Sequence, residues 1–136
     1  MPKVVIYTDG GARGNPGPAG AGVVIQDAAK TYEFKKFLGE KRTNNWAEYE
    51  AVAFALEEAK KIGLAGRSIE FRLDSQLVAE QLSGNWKIKE PALKSQAAKV
   101  RALLADFPSR KFVYVPREQN KEADRLVNEA IDGAGA

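Results

Sequence analysis

Four acids stand in four separate segments of this chain: Asp9 in "IYTDGG", Glu48 in "NNWAEYE", Asp74 in "FRLDSQ" and Asp124 in "KEADRL". The sequence contains no histidine and no cysteine. That removes the commonest general base, the commonest zinc ligand and any thiolate site. Acid–base or metal chemistry therefore falls to Asp, Glu, Lys or Tyr. Carboxylates gathered at one place repel one another and raise each other's pKa values. Divalent cations relieve that repulsion, and an all-oxygen ligand set favours Mg²⁺ or Mn²⁺. Two such ions about 3.5–4 Å apart can activate a water and stabilise a leaving oxygen in phosphodiester hydrolysis.

Each acid taken alone also has a plainer reading. Asp9 precedes Gly10 and can form a turn. Glu48 can close a capping box in "NWAE". Asp74 can cap the helix that follows it. Asp124 can complement a helix dipole from the first turn. The metal reading rests on the four together and on the segments that place them.

Those segments read as follows. "KVVIYTD" is rich in β-branched residues and apolar on both parities, as a central strand covered on both faces would be. "AGAGVVIQD" and "KTYEFKKFL" read as two further strands joined by a short turn, hence antiparallel. From Asn45 to Lys61 the period becomes helical, with Tyr49, Val52, Ala53, Leu56 and Ala59 on one stripe, and Gly63 and Gly66 ending it. "SIEFRLD" alternates as a fourth strand and "SQLVAEQL" follows as a short helix. "EPALKSQAAKVRALLADF" is a longer helix with Pro91 in its first turn. "RKFVYVP" is the last strand and "NKEADRLVNEAI" the last helix, with Asn120 as N-cap.

The order βββαβααβα predicts an α/β protein with a mixed five-stranded sheet flanked by helices. Asp9 ends the first strand and Asp74 the fourth. If those strands are parallel neighbours, both carboxylates emerge at one end of the sheet, where open α/β sheets bind ligands. Glu48 lies roughly 100° from Tyr49 on the helix, at the edge of the apolar stripe. Asp124 stands beside the Ala123, Val127 and Ala130 face. Glu57, Glu58 and Glu129 read as solvent-facing charges.

The chain has 136 residues, 44% of them hydrophobic, which fits one domain over residues 1–136 with a core of its own. The start, "MPKVVIYTDG", is too quickly polar for a signal peptide, and no apolar run approaches a membrane span. These features predict a soluble, cytoplasmic protein with no membrane role. A net charge of +3 is compatible with a polyanionic partner.

As a set, "YTDGGARGNPGPAGAGVVI", "TNNWAEYEAVAFAL", "LDSQLV" and "NKEADRLVNEA" resemble type 1 ribonuclease H, the ribonuclease HI family, from Val4 to about Ala130. The resemblance implies the ribonuclease H-like fold with sheet order 3-2-1-4-5. It implies an endonuclease that cuts the RNA strand of RNA–DNA hybrids, leaving 3′-hydroxyl and 5′-phosphate ends; the chain is expected to act as a monomer. It places Asp9, Glu48, Asp74 and Asp124 on the catalytic metal-binding positions, with two Mg²⁺ or Mn²⁺ ions when substrate is bound.

It also implies substrate contacts. Gly10 and Gly11, with Gly14, would let backbone approach a nucleic-acid strand, because no Cβ intervenes. Asn15 would address 2′-hydroxyls in the minor groove. Asn44 and Asn45 match family substrate contacts, and Thr43 with Lys41 matches a DNA-phosphate site, although Thr43 to Asn45 can also cap the helix. Gln76 matches a further contact. Trp86 is either an aromatic packed against the DNA strand or a core tryptophan.

The chain departs from the family's pattern in two places. The loop before Asp124, "VPREQN", holds Arg117 and Glu118 where many members carry a histidine. Asn120 matches a polar position common in the family. The segment "NWKIKEPALKSQ" offers only Lys87, Lys89 and Lys94 where some members carry a strongly basic protrusion. Three other readings remain open on sequence alone: a broader nuclease that also cuts double-stranded RNA, a catalytically silent nucleic-acid-binding module, and a transposase-like nuclease on the same fold.

Overall fold

The computed structural model describes residues 2–135. Strands β1 (Val4–Ala12), β2 (Gly17–Asp27) and β3 (Lys30–Arg42) form an antiparallel meander. Helix α1 (Asn44–Lys61) then leads to β4 (Ile69–Leu73), which pairs parallel with β1. Helices α2 (Gln76–Leu82) and α3 (Pro91–Leu103) precede β5 (Arg110–Tyr114), which pairs parallel with β4. Helix α4 (Lys121–Gly133) closes the chain. The sheet order is β3-β2-β1-β4-β5, so the first and fourth strands are neighbours. Among the described residues, no helix is long and apolar enough to cross a membrane.

The elements follow the sequence pattern with a few shifts. The helical period of the third long segment stops at Leu103, and Leu104–Asp106 tighten into a 3₁₀ turn rather than continuing the α-helix to Phe107. Strand β1 does not end at Asp9 but runs on through Gly10 and Gly11 to Ala12. Its parallel pairing with β4 stops at Thr8 opposite Leu73, while its antiparallel pairing with β2 continues to Ala12 opposite Ala19. Asp9 is therefore the first β1 residue with no β4 partner in the parallel ladder. The glycine-rich stretch belongs mostly to paired strands, and only Arg13–Pro16 turns.

Successive β1 side chains face opposite layers. A Cβ on Gly10 would overlap the Ala47 carbonyl of α1. Cβ atoms on Gly20 and Gly22 would overlap the backbone of α4 at Val127 and Ala123. The glycines at 10, 20 and 22 thus let α1 and α4 press against the two faces of the sheet. This corrects the expectation that Gly10 is small to admit a ligand: its missing Cβ is filled by helix backbone. Gly11 has only Val127 near its Cβ position, at 3.8 Å, so an alanine would be tolerated there.

The core between the sheet and α1 is apolar, with Ile6, Val52, Leu56, Phe71 and Leu73 fully buried. Phe71 of β4 stacks on Phe112 of β5 at 4.9 Å between centroids. Two charged groups are buried with partners. Glu50 of α1 takes Lys99 Nζ at 2.6 Å and Gln96 Nε2 at 3.0 Å from α3, and Glu70 of β4 takes Lys3 at 2.9 Å and Arg72 at 2.7 Å. Burial alone would raise the Glu50 carboxyl, but its bonds to Lys99 and Gln96 hold it below its ordinary value.

Gly10→Ala is expected to destabilise the protein by about 3 kcal/mol, because a backbone carbonyl cannot rotate away from the new methyl. Gly11→Ala should cost far less. Urea unfolding of the two variants checks the contrast.

Candidate metal centre and its flanking cleft

Asp9, Glu48 and Asp74 each place a carboxylate oxygen within 4.8 Å of the others. Asp9 reaches this point where β1 outruns β4. Asp74 follows the last residue of β4. Glu48 arrives from the first turns of α1. The plainer readings of the last two acids do not hold. Thr43 is the N-cap of α1, its Oγ1 accepting from Trp46 N at 3.2 Å, so Glu48 closes no capping box with Asn45. Instead Glu48 Oε1 accepts from the Gly10 backbone N–H at 3.2 Å. Ser75, not Asp74, caps α2, its Oγ accepting from Val78 N at 3.3 Å.

Asp124 lines the same cavity from α4 but is exposed and stands outside the close trio. The expectation that it borders the core therefore gives way to a place at the rim. One residue expected as a helix N-cap, and matching a polar position common in the family, organises this side. Asn120 is fully buried, and its Nδ2 donates to the Thr8 carbonyl at 2.9 Å, one residue before Asp9. Its own carbonyl accepts from Asp124 N at 3.1 Å. Asn120 thus ties the end of β1 to the start of α4, and its side chain does not cap the helix.

The electrostatics are those of like charges held together. Burial pushes the Asp9 carboxyl far above its ordinary value, and the charges of Glu48, Asp74 and Asp124 push it further. Burial also raises Glu48, outweighing the hydrogen bonds that lower it, and raises Asp74. Glu48 Oε2 is buried without a hydrogen-bond partner. An unpartnered buried carboxylate oxygen on one of three clustered acids, in an all-oxygen set, is a donor arrangement that fits a hard divalent cation. Arg117, in the loop before α4, brings its Nε to 4.0 Å from Asp74 Oδ2 but is largely exposed, so its attraction is screened.

The cavity above the trio has a volume of about 430 Å³. Gly10, Gly11, Asn44 and Asn45 line it. Asn15, Lys41, Thr43, Gln76 and Trp86 do not line it, although all five are exposed. Asn15 and Asn44 brace the turn against α1: Ala12 N donates to Asn44 Oδ1 at 2.8 Å, and Asn44 N donates to Asn15 Oδ1 at 3.0 Å. Trp86 is 43% exposed, which removes its reading as a core residue. Sequence reasoning gave no role to Arg13, Asn128 or Ser75, which also line the cavity.

A family model described as "Reverse transcriptase-like" matches residues 7–130. Ribonuclease HI of Halobacterium salinarum is 43% identical over 134 residues, covering 97% of this chain and 66% of the relative. Its solved structure, described as an RNase H1, superposes with a TM-score of 0.89 at 41% identity, over 97% of this chain and 99% of that one. The chain belongs to the type 1 ribonuclease H family. A structure of LC11-RNase H1, solved in complex with an RNA/DNA hybrid, superposes on this type 1 ribonuclease H fold with a TM-score of 0.92 at 48% identity, covering 98% and 99% of the two chains. The bifunctional protein Rv2228c of Mycobacterium tuberculosis is 44% identical over 135 residues, 97% of this chain but 36% of its own length. This chain thus spans about a third of that ribonuclease H relative.

In metal-free protein the raised acids make ionisation of the trio unfavourable, so their contribution to stability is present at low pH and lost as pH rises. Asp9→Asn is therefore expected to gain several degrees of Tm over the wild type as pH rises from about 4 to about 8. Mn²⁺ should raise the Tm of the wild type more than that of the variant. Differential scanning calorimetry across pH, with and without metal, measures both.

Proposed function

We propose that this chain is a monomeric endoribonuclease that hydrolyses the RNA strand of RNA–DNA hybrids, leaving 3′-hydroxyl and 5′-phosphate ends. The observation that supports it most is the gathering of Asp9, Glu48 and Asp74 within 4.8 Å, in a fold shared with LC11-RNase H1, whose complex contains an RNA/DNA hybrid. The three acids, joined by Asp124 from the rim, would hold two Mg²⁺ or Mn²⁺ ions. When bound, such ions supply an activated water at the scissile phosphate and charge stabilisation at the leaving 3′ oxygen.

The remaining work falls to the protein. Glu48 has one oxygen fixed by the Gly10 N–H, which leaves Oε2 without a protein hydrogen-bond partner and free to ligate. Asn120 holds the Asp9 and Asp124 backbones in register. Asn44 and Asn45 line the approach and present amide N–H donors to 2′-hydroxyls, which distinguish RNA from DNA. The side-chain oxygens of Asn15 and Asn44 each accept a backbone N–H of the fold, which leaves both N–H donors of each amide nitrogen for substrate. Thr43 spends its oxygen on the cap but keeps its hydroxyl proton for a DNA phosphate, with Lys41 beside it. Gln76 and the exposed Trp86 extend the contact past Asp74.

The test is cleavage of end-labelled RNA–DNA hybrid, double-stranded RNA and double-stranded DNA, side by side, with Mg²⁺, with Mn²⁺ and with chelator. The expected outcome is metal-dependent cutting of the RNA strand of the hybrid. Asp9→Asn should lower the rate by at least about a hundredfold, more than loss of a group that only orients a ligand. Equal rates for Asp9→Asn and the wild type would overturn the assignment.

A further inference from the structure

The cavity that holds the acid trio is also lined by Arg13 and Asn128, which the catalytic reading does not use. Arg13 lies in the turn between β1 and β2, and its guanidinium is fixed twice by α4. Nη1 donates to Asp132 Oδ1 at 2.6 Å, and Nη2 donates to Asn128 Oδ1 at 3.0 Å. The turn itself is held, with Arg13 N donating to the Pro18 carbonyl at 2.9 Å and no room for a Cβ at Gly17 beneath the Arg13 carbonyl. A guanidinium has five N–H donors in a planar fork. Two are used, and three remain on a group that borders the cavity.

Asn128 and Asp132 follow Asp124 by four and eight residues on one helix, so Arg13 is anchored roughly 6–12 Å along α4 from that acid. That offset suits a phosphate neighbouring the one at the trio.

We propose that Arg13 is a binding residue for a backbone phosphate of the RNA strand next to the scissile one, its fork aimed by Asp132 and Asn128. This deepens the hybrid-cleavage reading and rests on it. The anchoring matters because a planar fork held in advance loses less freedom on binding a phosphate than a free side chain does.

The experiment combines kinetics with a scan of hybrids in which single RNA-strand phosphates are replaced by neutral methylphosphonates. For Arg13→Ala we expect the KM for hybrid to rise about tenfold with kcat within twofold. The slope of log KM against log salt should fall by about 0.7–0.9, the share of one phosphate. One methylphosphonate position beside the cut should weaken the wild type and leave Arg13→Ala unaffected. Arg13→Lys should recover the salt slope but not the full KM, and Asp132→Asn should raise KM less than Arg13→Ala. The proposal is overturned if no phosphate position distinguishes wild type from Arg13→Ala, or if Arg13→Ala loses thermal stability and kcat while KM stays unchanged, as a purely structural strap would. If the wild type cuts no hybrid, the functional reading fails by itself. Fluorescence anisotropy of the same substituted hybrids then still reads the Arg13 contact, and a uniform response of wild type and variant would sink it.

Discussion

Three carboxylates that repel one another are held at the end of two paired strands, and the surrounding structure keeps them from separating. β1 and β4 fix Asp9 and Asp74 by parallel register. The Gly10 N–H fixes Glu48. Asn120 fixes the approach of α4. At neutral pH and without metal this arrangement costs stability, since burial and like charge both disfavour the ionised acids. Conformations that spread the acids are blocked by packing at a distance from them, where the apolar core does the stabilising. The site is thus a local conflict maintained by global agreement, the pattern expected where function overrides local stability.

The packing that maintains it depends on small residues at strand faces. Gly10 lets the first turn of α1 approach β1 closely enough for Glu48 to reach the Gly10 N–H. Gly20 and Gly22 do the same for α4 against β2. The glycine-rich segment therefore works less as a supple loop than as two flat landing areas for helices. The turn that remains, Arg13–Pro16, is held by hydrogen bonds to α1 and α4.

Much of this was legible in the sequence, for definite reasons. Strand and helix order followed from period changes at Asn45 and Ser68 and from the β-branched run at Val4–Ile6. The convergence of Asp9 and Asp74 was expected from two strand ends, although Asp9 marks only the end of the β1–β4 ladder and β1 runs on to Ala12; Glu48 was legible from its position at the margin of an apolar stripe. What escaped was mostly competition among hydrogen-bond partners. Thr43 and Ser75 took the capping roles that Asn45 and Asp74 were equally suited to, and spacing alone does not rank them. Asn120 looked like a cap because its type suits one, but a strand carbonyl distant in sequence claimed its amide. Gly10 was ambiguous because a missing Cβ looks the same whether ligand or helix fills the space. Arg13 gave no signal, since nothing local marks a partner more than a hundred residues later.

Gly10 and Gly11 face opposite layers, so α1 and α4 lie on opposite sides of the sheet, and the acids reach one spot around its end from both sides. The span between Glu48 and Asp124 is consequently a caliper whose jaws are the two helical layers and whose beam is the thickness of the sheet. A methylene added or removed deep in either layer changes the jaw opening without touching an acid. Evolution of such a core is constrained by a tolerance in ångströms as well as by stability, and repacking that a thermal melt would pass as harmless can leave the gauge misread.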